Sequence, residues 1–238
     1  MTFIDDLKDC ADKFNITITD DELAKFDKYF RLLIEWNEKI NLTAITEPHE
    51  VAVKHMIDSL SCHDEKIFAE NAHIIDVGTG AGFPGIPLKI YRPDLKVTLL
   101  DSLQKRIKFL DEVIITLGLK DITCVHARAE EGARQKQHRE KYDVAVSRAV
   151  ARLSVLAEYT LPYVKVGGCL VALKGAKFAE EADEAKRAVA MLGGEIEDVR
   201  PIHLPTLDDK RAIIIVRKTK PTPKTYPRKA GTPERKPL

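Results

Sequence analysis

Hydrophobic residues recur along this chain with two different spacings, and the change falls near residue 70. In the first 70 residues, apolar side chains repeat every three or four positions, which is the period of an amphipathic helix. The clearest such series is Leu23, Phe26, Phe30, Leu33 and Ile34. Thr19 or Asp20 can cap this helix at its start, and Pro48 begins another. Residues 1–70 are therefore predicted to form a helical extension.

From residue 73 onward, short apolar runs alternate with amphipathic segments. The apolar runs predict strands at 73–77, 96–101, 121–125, 142–146 and 168–173. The segments between and after them predict helices at 84–91, 104–117, 152–161 and 177–192. Two further strand-like runs, 195–204 and 211–217, are joined by a short polar loop without a helix, which predicts an antiparallel hairpin at the sheet edge. Residues 71–217 are thus expected to form an α/β domain with a mostly parallel sheet covered on both faces.

The charge along the chain is uneven, although the formal total is only +1. Residues 1–70 carry 8 Lys and Arg against 16 Asp and Glu, a net of −8. Residues 218–238, the C-terminal tail, carry 7 Lys and Arg against 1 Glu, a net of +6, together with five prolines. The tail is poor in apolar residues, so it is predicted to be mobile unless a ligand orders it. Its charge fits either an anionic partner or a solubilising role.

The overall composition narrows the class of protein. A length of 238 residues with 44% hydrophobic residues suits one large domain, or a main domain with a small extension. No apolar run is long enough to cross a membrane, and the N-terminus lacks the basic and apolar segments of a secretory signal. The four cysteines are scattered without a CxxC pair, which indicates reduced thiols and neither a disulfide framework nor a metal site. We therefore expect a cytoplasmic protein that does not associate with membranes.

A glycine-rich loop follows the first predicted strand. After Asp76 and one further residue come Gly78, Gly80 and Gly82, and Pro84 stands where a helix would take its first turn. A strand, a tight glycine loop and a helix start make a setting in which nucleotide-like ligands bind, because glycine lets the backbone approach them closely.

Three ligands compete for this loop. A phosphate-binding P-loop would need Gly-Lys-Ser/Thr where Phe83-Pro84 stands, so that interpretation is dropped. A dinucleotide interpretation rests on a formal GxGxxG match from Gly80 to Gly85, with Asp101 as the ribose acid. We favour S-adenosylmethionine, because Asp76 could meet the methionine ammonium directly or through water, and Asp101 could take both ribose hydroxyls. The alternative role for Asp76 is to help form the loop turn.

Two further segments follow strands at the edge where ligands of open α/β sheets bind. Ala129-Glu130 comes after the third strand, where class I methyltransferases often bind adenine. Ser147-Arg148 comes directly after the fourth strand. The alternatives are a solvated acid at a helix start for Glu130 and a surface or helix-start arginine for Arg148.

Together these motifs closely resemble the RsmG (GidB) family of bacterial rRNA methyltransferases, over nearly the whole chain. The matching segments are Trp36-Asn37, Asn41–Thr46, His55 with Asp58-Ser59-Leu60, Asp76–Leu88, Ser147-Arg148-Ala149, Lys174-Gly175, Tyr226–Thr232 and Pro237-Leu238. The resemblance implies a class I, Rossmann-like methyltransferase fold with a seven-stranded sheet. It also implies that S-adenosylmethionine is used to methylate N7 of the guanine at position 527, in the 530 loop of 16S rRNA. Family cofactor-binding positions carry over onto Gly78, Phe83, Ala129, Glu130 and Arg148.

The chemistry implied by this resemblance needs no general base, because guanine N7 carries a lone pair and no proton. Much of the rate should come from alignment and exclusion of water, with Arg148 and Lys174 as positioning candidates. The group that stabilises the cationic guanine is not assigned by the sequence.

Other methyltransferase reactions are associated with sequence motifs that this chain lacks. Amine methylation typically uses Asn/Asp-Pro-Pro-aromatic where this chain has Ser147-Arg148-Ala149, and no cysteine follows a proline as cytosine C5 methylation often requires. Ribose 2′-O methylation is the nearest alternative, since Lys54, Asp143 and Lys174 could contribute to it. A non-catalytic, cofactor-binding protein of ribosome assembly also stays open.

The partner expected from the resemblance is 16S rRNA in the small ribosomal subunit or its precursor, bound by a monomer. Lys174, Arg228 and Lys229 are candidates for phosphate contacts and Tyr226 for base stacking. The basic residues of 105–108 are more typical of a solvated helix face.

The N-terminal part of the chain is expected to have a structural role. His55 and Asp58 lie one helical turn apart and are interpreted as a structural pair, although they could help to line the pocket. The acidic segment 1–70 is expected to pack on the sheet domain and to shape a lid over the cofactor.

Overall fold

The N-terminal third of the chain is helical, as its periodicity predicts. The computed structural model describes residues 2–238. Its first helices are α1 (Phe3–Lys13), α2 (Asp20–Ile40), α3 (Pro48–Val51) and α4 (Asp58–Leu60), with a π-helical segment, Ala52–Ile57, between α3 and α4. Thr2 and Thr19 each form a capping box with the acidic side chain three residues later, which fixes the starts of α1 and α2.

The following region has the predicted strand–helix alternation. The strands are β1 (His73–Val77), β2 (Lys96–Asp101), β3 (Ile122–His126), β4 (Tyr142–Arg148), β5 (Val164–Lys174), β6 (Gly194–Ile202) and β7 (Arg211–Lys218). The helices are α5 (Gly85–Tyr91), α6 (Gln104–Leu117), α7 (Ala129–Gly132), α8 (Leu153–Thr160), α9 (Phe178–Met191) and α10 (Thr232–Arg235), with a 3₁₀ turn at Leu161–Tyr163. The short helices α7 and α10 were not predicted, because four residues are too few to show a periodic pattern.

The seven strands form one sheet in the order β3-β2-β1-β4-β5-β7-β6. The first five strands are parallel, and β7 runs antiparallel to both β5 and β6. The predicted terminal hairpin is therefore confirmed; β6 forms the edge of the sheet, and β7 lies between β5 and β6. Strand β5 begins four residues earlier than predicted, because Val164 pairs with Tyr142 across an irregularity in β4.

Two hydrophobic clusters cover the two faces of the sheet. One contains residues of α8 and α9 packed on Ile75, Ala145 and Ile214. The other unites α1, α2 and the π-helical segment with Ile74, Val146 and other residues of the opposite face. The helical extension thus shares its core with the sheet domain. No helix among residues 2–238 has both the length and the apolar character that crossing a bilayer requires.

The C-terminal tail lies along the sheet domain, and this corrects the expectation of a mobile segment. The buried ammonium of Lys218 donates to the carbonyls of Leu161 and Val164 and to the Thr222 hydroxyl. The Arg139 guanidinium donates to the backbone carbonyls of Tyr226 and Thr222. These charge-assisted bonds replace the apolar contacts that the composition of the tail lacks.

Candidate active site

The glycine loop turns sharply at the carboxyl end of β1. Gly78, Gly80 and Gly82 have φ angles of 73°, 61° and 103°, a region that favours glycine. Under this turn, Oδ2 of Asp76 accepts hydrogen bonds from the Thr79 hydroxyl (2.7 Å) and the Gly85 amide (2.8 Å). Asp76 therefore connects the end of β1 to the start of α5.

Asp76 lies beneath the loop and not on the cavity wall, where direct contact with a cofactor ammonium would require it. Its carboxylate is fully buried, and the cavity beside the loop is lined by the next residues, Val77 and Gly78. Burial raises the pKa of Asp76 to about 7. Among residues 2–238, Oδ1 of Asp76 has no hydrogen-bond partner. The loop-forming alternative is thus what the geometry shows, and a water-mediated contact with the ammonium stays a prediction.

Helix α2 holds the same loop from outside the sheet. The buried hydroxyl of Tyr29 donates to the Ala81 carbonyl at 2.5 Å, and its ring lies 5.4 Å from that of Phe83. A Cβ on Gly82 would lie 2.8 Å from the Tyr29 hydroxyl oxygen, so this close approach also depends on glycine. Tyr29 could not be identified from the sequence, because a tyrosine at helical spacing is indistinguishable from an ordinary core residue.

A cavity of about 470 Å³ opens beside the loop, within the size range of small-molecule sites. Most of the predicted cofactor-binding positions lie on its wall: Gly78, Gly80, Phe83, Asp101, Ala129, Glu130 and Arg148. Gly82, like Asp76, supports the loop without lining the cavity. Leu42 and Thr43 also line it; they belong to the matching segment Asn41–Thr46 but were not predicted to bind the cofactor. The Asn37 side chain holds both of their amides, at 2.6 and 2.8 Å, just beyond the left-handed end of α2.

Asp101 stands at the end of β2 with its carboxylate fixed. Its Oδ2 accepts from the Gly80 amide (2.9 Å) and from Arg106 (3.2 Å), while Oδ1 accepts from the Leu103 amide (2.9 Å). Arg106, interpreted from the sequence as a solvated helix residue, is instead part of the cavity wall. The carboxylate is therefore preorganised to accept hydrogen bonds from a vicinal diol such as that of ribose.

Glu130 and Tyr159 lie at the same end of the cavity. Oε1 of Glu130 accepts from the Gly231 amide in the C-terminal tail at 2.8 Å. Burial, with the nearby Glu130 carboxylate, raises the pKa of Tyr159 to about 12, so the phenol is neutral. The Ala129 carbonyl accepts from the Tyr163 hydroxyl at 2.7 Å. Tyr159 follows the strand end by eleven residues, and nothing in its local pattern marks it as a site residue.

Arg148 occupies the opposite end, where β4 finishes. Its Nη1 donates to Oδ2 of Asp58 (2.9 Å) and to the Lys54 carbonyl (2.8 Å), and the guanidinium lies 4.7 Å from the centre of the Phe83 ring. Oδ1 of Asp58 also accepts from Arg211 at 3.2 Å. Asp58 is buried, so it offsets the charge of both arginines within the protein.

The imidazole of His55 lies between Arg148 and Thr43. Nδ1 of His55 lies 3.2 Å from Nη2 of Arg148 and 3.1 Å from the Lys54 carbonyl. Nε2 of His55 lies 2.9 Å from the Thr43 hydroxyl. Burial and the adjacent Arg148 charge lower the pKa of His55 to about 3, so the ring is neutral. His55 and Asp58 each contact Arg148, and both also line a cavity, so the two roles considered for them from the sequence, structural support and pocket lining, occur together.

A second cavity of about 640 Å³ adjoins the first, and His55, Arg148, Ala149 and Val150 line both. Lys174 lies on its wall with Nζ donating to the Ala151 carbonyl (2.6 Å) and paired with Glu181 (2.5 Å).

Further cations reach the same cavity wall. Lys54, Lys210 and Arg211 do so, against three acids, Asp58, Glu181 and Asp209. Counting Arg148 and Lys174 with them, five cations line the cavity against three acids, and Glu50, outside the lining, pairs with Lys54, so an excess of one positive charge remains.

The other candidates for RNA contacts lie apart from this cavity, in the C-terminal tail. Arg228 forms a two-pronged pair with buried Glu158 (2.6 and 3.0 Å), so its guanidinium is engaged within the protein. Tyr226 is half-buried against the cluster under α8 and α9, and Lys229 is exposed. The structure does not bring these three residues together with Lys174, and their RNA contacts stay predictions.

The four cysteines carry no sign of activation. None of them is among the described residues that line either cavity. Burial raises the pKa of Cys124 to about 12 and that of Cys169 to about 11. A thiol with so high a pKa is a poor nucleophile near neutral pH, which agrees with the absence of a cytosine C5 motif.

The residues around the first cavity fit S-adenosylmethionine. No atom comes within 4 Å of the place where a Cβ of Gly80 would stand, so a ligand can approach the loop backbone. Asp101 presents an acceptor for a diol, and Glu130 and Tyr159 surround the far end.

Comparison with known sequences covers nearly the whole chain. Residues 22–213 match the model of the GidB family, described as rRNA small subunit methyltransferase G. The ribosomal RNA small subunit methyltransferase G of Desulforamulus reducens is 50% identical over 232 residues, which are 98% of this chain and 97% of the relative. The protein of the same name from Acetivibrio thermocellus is 54% identical over 96% of this chain and 93% of its own. That of Clostridium perfringens is 49% identical over the full length of both.

Solved structures share the fold. A SAM-dependent methyltransferase from Aquifex aeolicus superposes with a TM-score of 0.53 over 71% of this chain and 93% of its own, at 16% identity. A 16S rRNA (adenine(1408)-N(1))-methyltransferase variant from Catenulisporales acidiphilia gives 0.52 over 65% and 88%, at 15% identity. These structures confirm the class I methyltransferase fold. The family match, together with relatives that are about 50% identical over nearly the whole chain, shows that this chain belongs to the GidB family of rRNA small subunit methyltransferases.

Proposed function

We propose that this protein transfers a methyl group from S-adenosylmethionine to N7 of the guanine at position 527, in the 530 loop of 16S rRNA. Family membership supports an rRNA methyltransferase, and the atom and nucleotide come from the resemblance of its motifs. The observation that carries the proposal is the meeting of two cavities at Arg148. One has the residues that fit the cofactor, and the other has an excess of cations.

The second cavity is the place we assign to the target nucleotide. Its volume of about 640 Å³ is ample for one nucleotide. Phosphate contacts dominate the affinity of proteins for nucleic acids, and Lys54, Lys210 and Arg211 border the cavity. Sequence-specific RNA recognition usually targets bases splayed out of a loop, which is the form in which a guanine could enter.

The residues at the junction suit a reaction that needs no general base. When bound, the cofactor supplies an electrophilic methyl group on a sulfonium, and guanine N7 offers a lone pair without a proton. His55 is neutral, and both of its ring nitrogens already have hydrogen-bond partners within the protein, so it is not placed as a general base.

Arg148 acts as a positioning residue in this proposal. Asp58, the Lys54 carbonyl and the Phe83 ring restrain its guanidinium, so the wall between the two cavities is rigid. The Asp58 carboxylate also offsets its charge. A guanine that becomes cationic during the transfer would therefore face an arginine whose charge is partly offset and not a bare positive charge.

The arrangement disfavours ribose 2′-O methylation. Asp143 lies at the start of β4, away from the junction, where it accepts from the His73 amide and pairs with Lys165. Lys54 is paired with Glu50. Lys54 and Lys174 both line the second cavity, but Asp143, the acid that such a reaction would combine with them, is not among its lining residues.

The test uses labelled S-adenosylmethionine and 30S subunits from a strain that lacks the native modification. We expect one labelled guanine in the 530 loop, detected by borohydride reduction and aniline cleavage, which break the strand at N7-methylguanine. Arg148→Met should lower the rate by about 100-fold or more, because a wall that misplaces the reacting atoms slows the transfer. Exposed Arg152, changed to Met, is the matched control and should leave the rate unchanged.

Each other outcome refutes a specific part of the proposal. Label in another nucleotide refutes the assigned position, and label on ribose refutes the assigned atom. Cofactor binding without any label in rRNA favours a non-catalytic assembly protein, and no cofactor binding at all refutes the assignment of the first cavity.

A further inference from the structure

We propose that the C-terminal tail is part of the cofactor site and sets the affinity for the adenosine portion of the cofactor. This inference rests on the proposed use of the first cavity. It gives Arg228 a role within the protein, while the RNA contacts of Tyr226 and Lys229 stay predictions.

The first connection is direct. The amide of Gly231 donates to Oε1 of Glu130 at 2.8 Å, and Glu130 lines the cavity. Gly231 has a φ of 77°, a conformation that glycine adopts at little cost, so the chain can aim this amide at the carboxylate. The tail therefore fixes the orientation of a carboxylate in the cavity wall.

The second connection runs through α8. Arg228 donates to Glu158 from Nε, Nη2 and its backbone amide, at distances between 2.6 and 3.1 Å. The Glu158 side chain is only 1% exposed, so the pair is shielded from water on that side. Tyr159, the next residue in the helix, lines the cavity beside Glu130. A change in the Glu158 contact would thus be felt at the cavity wall one residue away.

Further contacts hold the tail in place both before Arg228 and after Gly231. Before them, Arg139 holds the carbonyls of Thr222 and Tyr226, and Arg134 donates to the Pro227 carbonyl. After them, buried Pro233 and Leu238 at the chain end add apolar contacts, the latter against the cluster of α8 and α9. The two contacts to the cavity wall therefore lie in the middle of an anchored segment.

The tail therefore supports only one end of the cavity. The glycine loop, Phe83 and Arg148 form one end, which needs nothing from the tail. Glu130 and Tyr159 form the other end. Gly231 contacts Glu130 directly, and Arg228 contacts Glu158, the residue before Tyr159. Weakening the tail should therefore reduce the binding of every ligand that contains adenosine by a similar factor.

The test is calorimetric titration of the full-length protein with S-adenosylmethionine, S-adenosylhomocysteine and 5′-methylthioadenosine, which lacks the amino-acid portion. Arg228→Met should raise Kd about tenfold for all three ligands, a typical size for coupling between neighbouring sites. Arg217→Met is the matched control, because Arg217 makes a comparable pair with Glu197 on the sheet surface. It should leave all three Kd values unchanged.

Melting curves at the same pH establish that the variants are folded at the titration temperature. If Arg228→Met does not fold, Arg228→Lys keeps the charge while losing the two-pronged geometry, and should show the same pattern with a smaller factor. A folded variant with wild-type Kd values overturns the inference, as does a loss of affinity only for the two ligands that carry an amino-acid portion. Failure of the wild-type protein to bind any of the three would instead refute the proposed cofactor site.

Discussion

The buried carboxylate of Asp76 should make the stability of this protein depend on pH in an unusual direction. Its pKa is raised from 3.8 to about 7, because burial outweighs the two hydrogen bonds that it accepts. In the range between these values the folded protein holds a proton that the unfolded chain releases. The contribution of Asp76 is therefore fully present below pH 3.8 and is lost as pH rises toward 7.

The size of the effect follows from the shift. A difference of about 3 pKa units corresponds to about 4 kcal/mol when the group is fully ionised in both states. About 1.5 kcal/mol of this is already lost at about pH 5, so roughly 3 kcal/mol remains to be lost by about pH 8.5. Asp76→Asn keeps an oxygen that can accept from Thr79 and Gly85 but does not ionise. Wild type should thus lose about 3 kcal/mol relative to this variant across that interval.

Urea denaturation of both proteins at several pH values measures the difference. The control is Asp94→Asn, because pairing with Arg92 lowers the pKa of Asp94 to about 2. The contribution of Asp94 is lost only as pH falls through the acid range, so its variant should differ from wild type by a constant amount above about pH 5. A constant difference for Asp76→Asn as well would refute the argument, since it would mean that the buried carboxylate is ionised throughout.

Three further outcomes follow from the described contacts. Tyr29→Phe should cost about 1–3 kcal/mol in urea denaturation, because the buried Ala81 carbonyl loses its donor; a similar cost for Tyr91→Phe, a half-buried tyrosine outside the site, would contradict this. Gly85→Ala should lower the melting temperature, because the new Cβ would lie 2.8 Å from the Asp76 carboxylate and 2.5 Å from the Leu99 side chain. The control Gly175→Ala places its Cβ in open space and should have little effect. Finally, all four thiols should react slowly with Ellman's reagent until the protein unfolds, and rapid reaction of the folded protein would show that a cysteine is exposed or activated.

The fold was largely predictable because each of its long elements has a local signature. The strand β1 is an apolar run that ends just before the glycine loop. Helix α6 begins and ends at the predicted residues, because a helix of fourteen residues shows its period clearly. The placement of Asp101 and Arg148 was predictable for a related reason. Both follow strands, and parallel strands deliver their carboxyl ends to the same edge of the sheet.

What the sequence could not supply are the partners of charged residues. Arg228 looks like a free cation in a basic tail, and its partner Glu158 lies 70 positions away inside a helix. Asp76 looks like a ligand to a cation, yet its orientation depends on the path of the loop after it. The π-helical segment, which sets the Lys54 carbonyl and the His55 ring toward Arg148, likewise has no pattern in sequence that separates it from an α-helix.

The glycine loop is held from two sides, by Asp76 beneath it and by Tyr29 above it. A loop restrained in this way loses little conformational entropy when a ligand arrives, because its backbone is already ordered. Binding should then consist of filling a formed site and not of folding a loop around the ligand. We expect an association rate that depends linearly on ligand concentration, with no slow rearrangement step after the encounter.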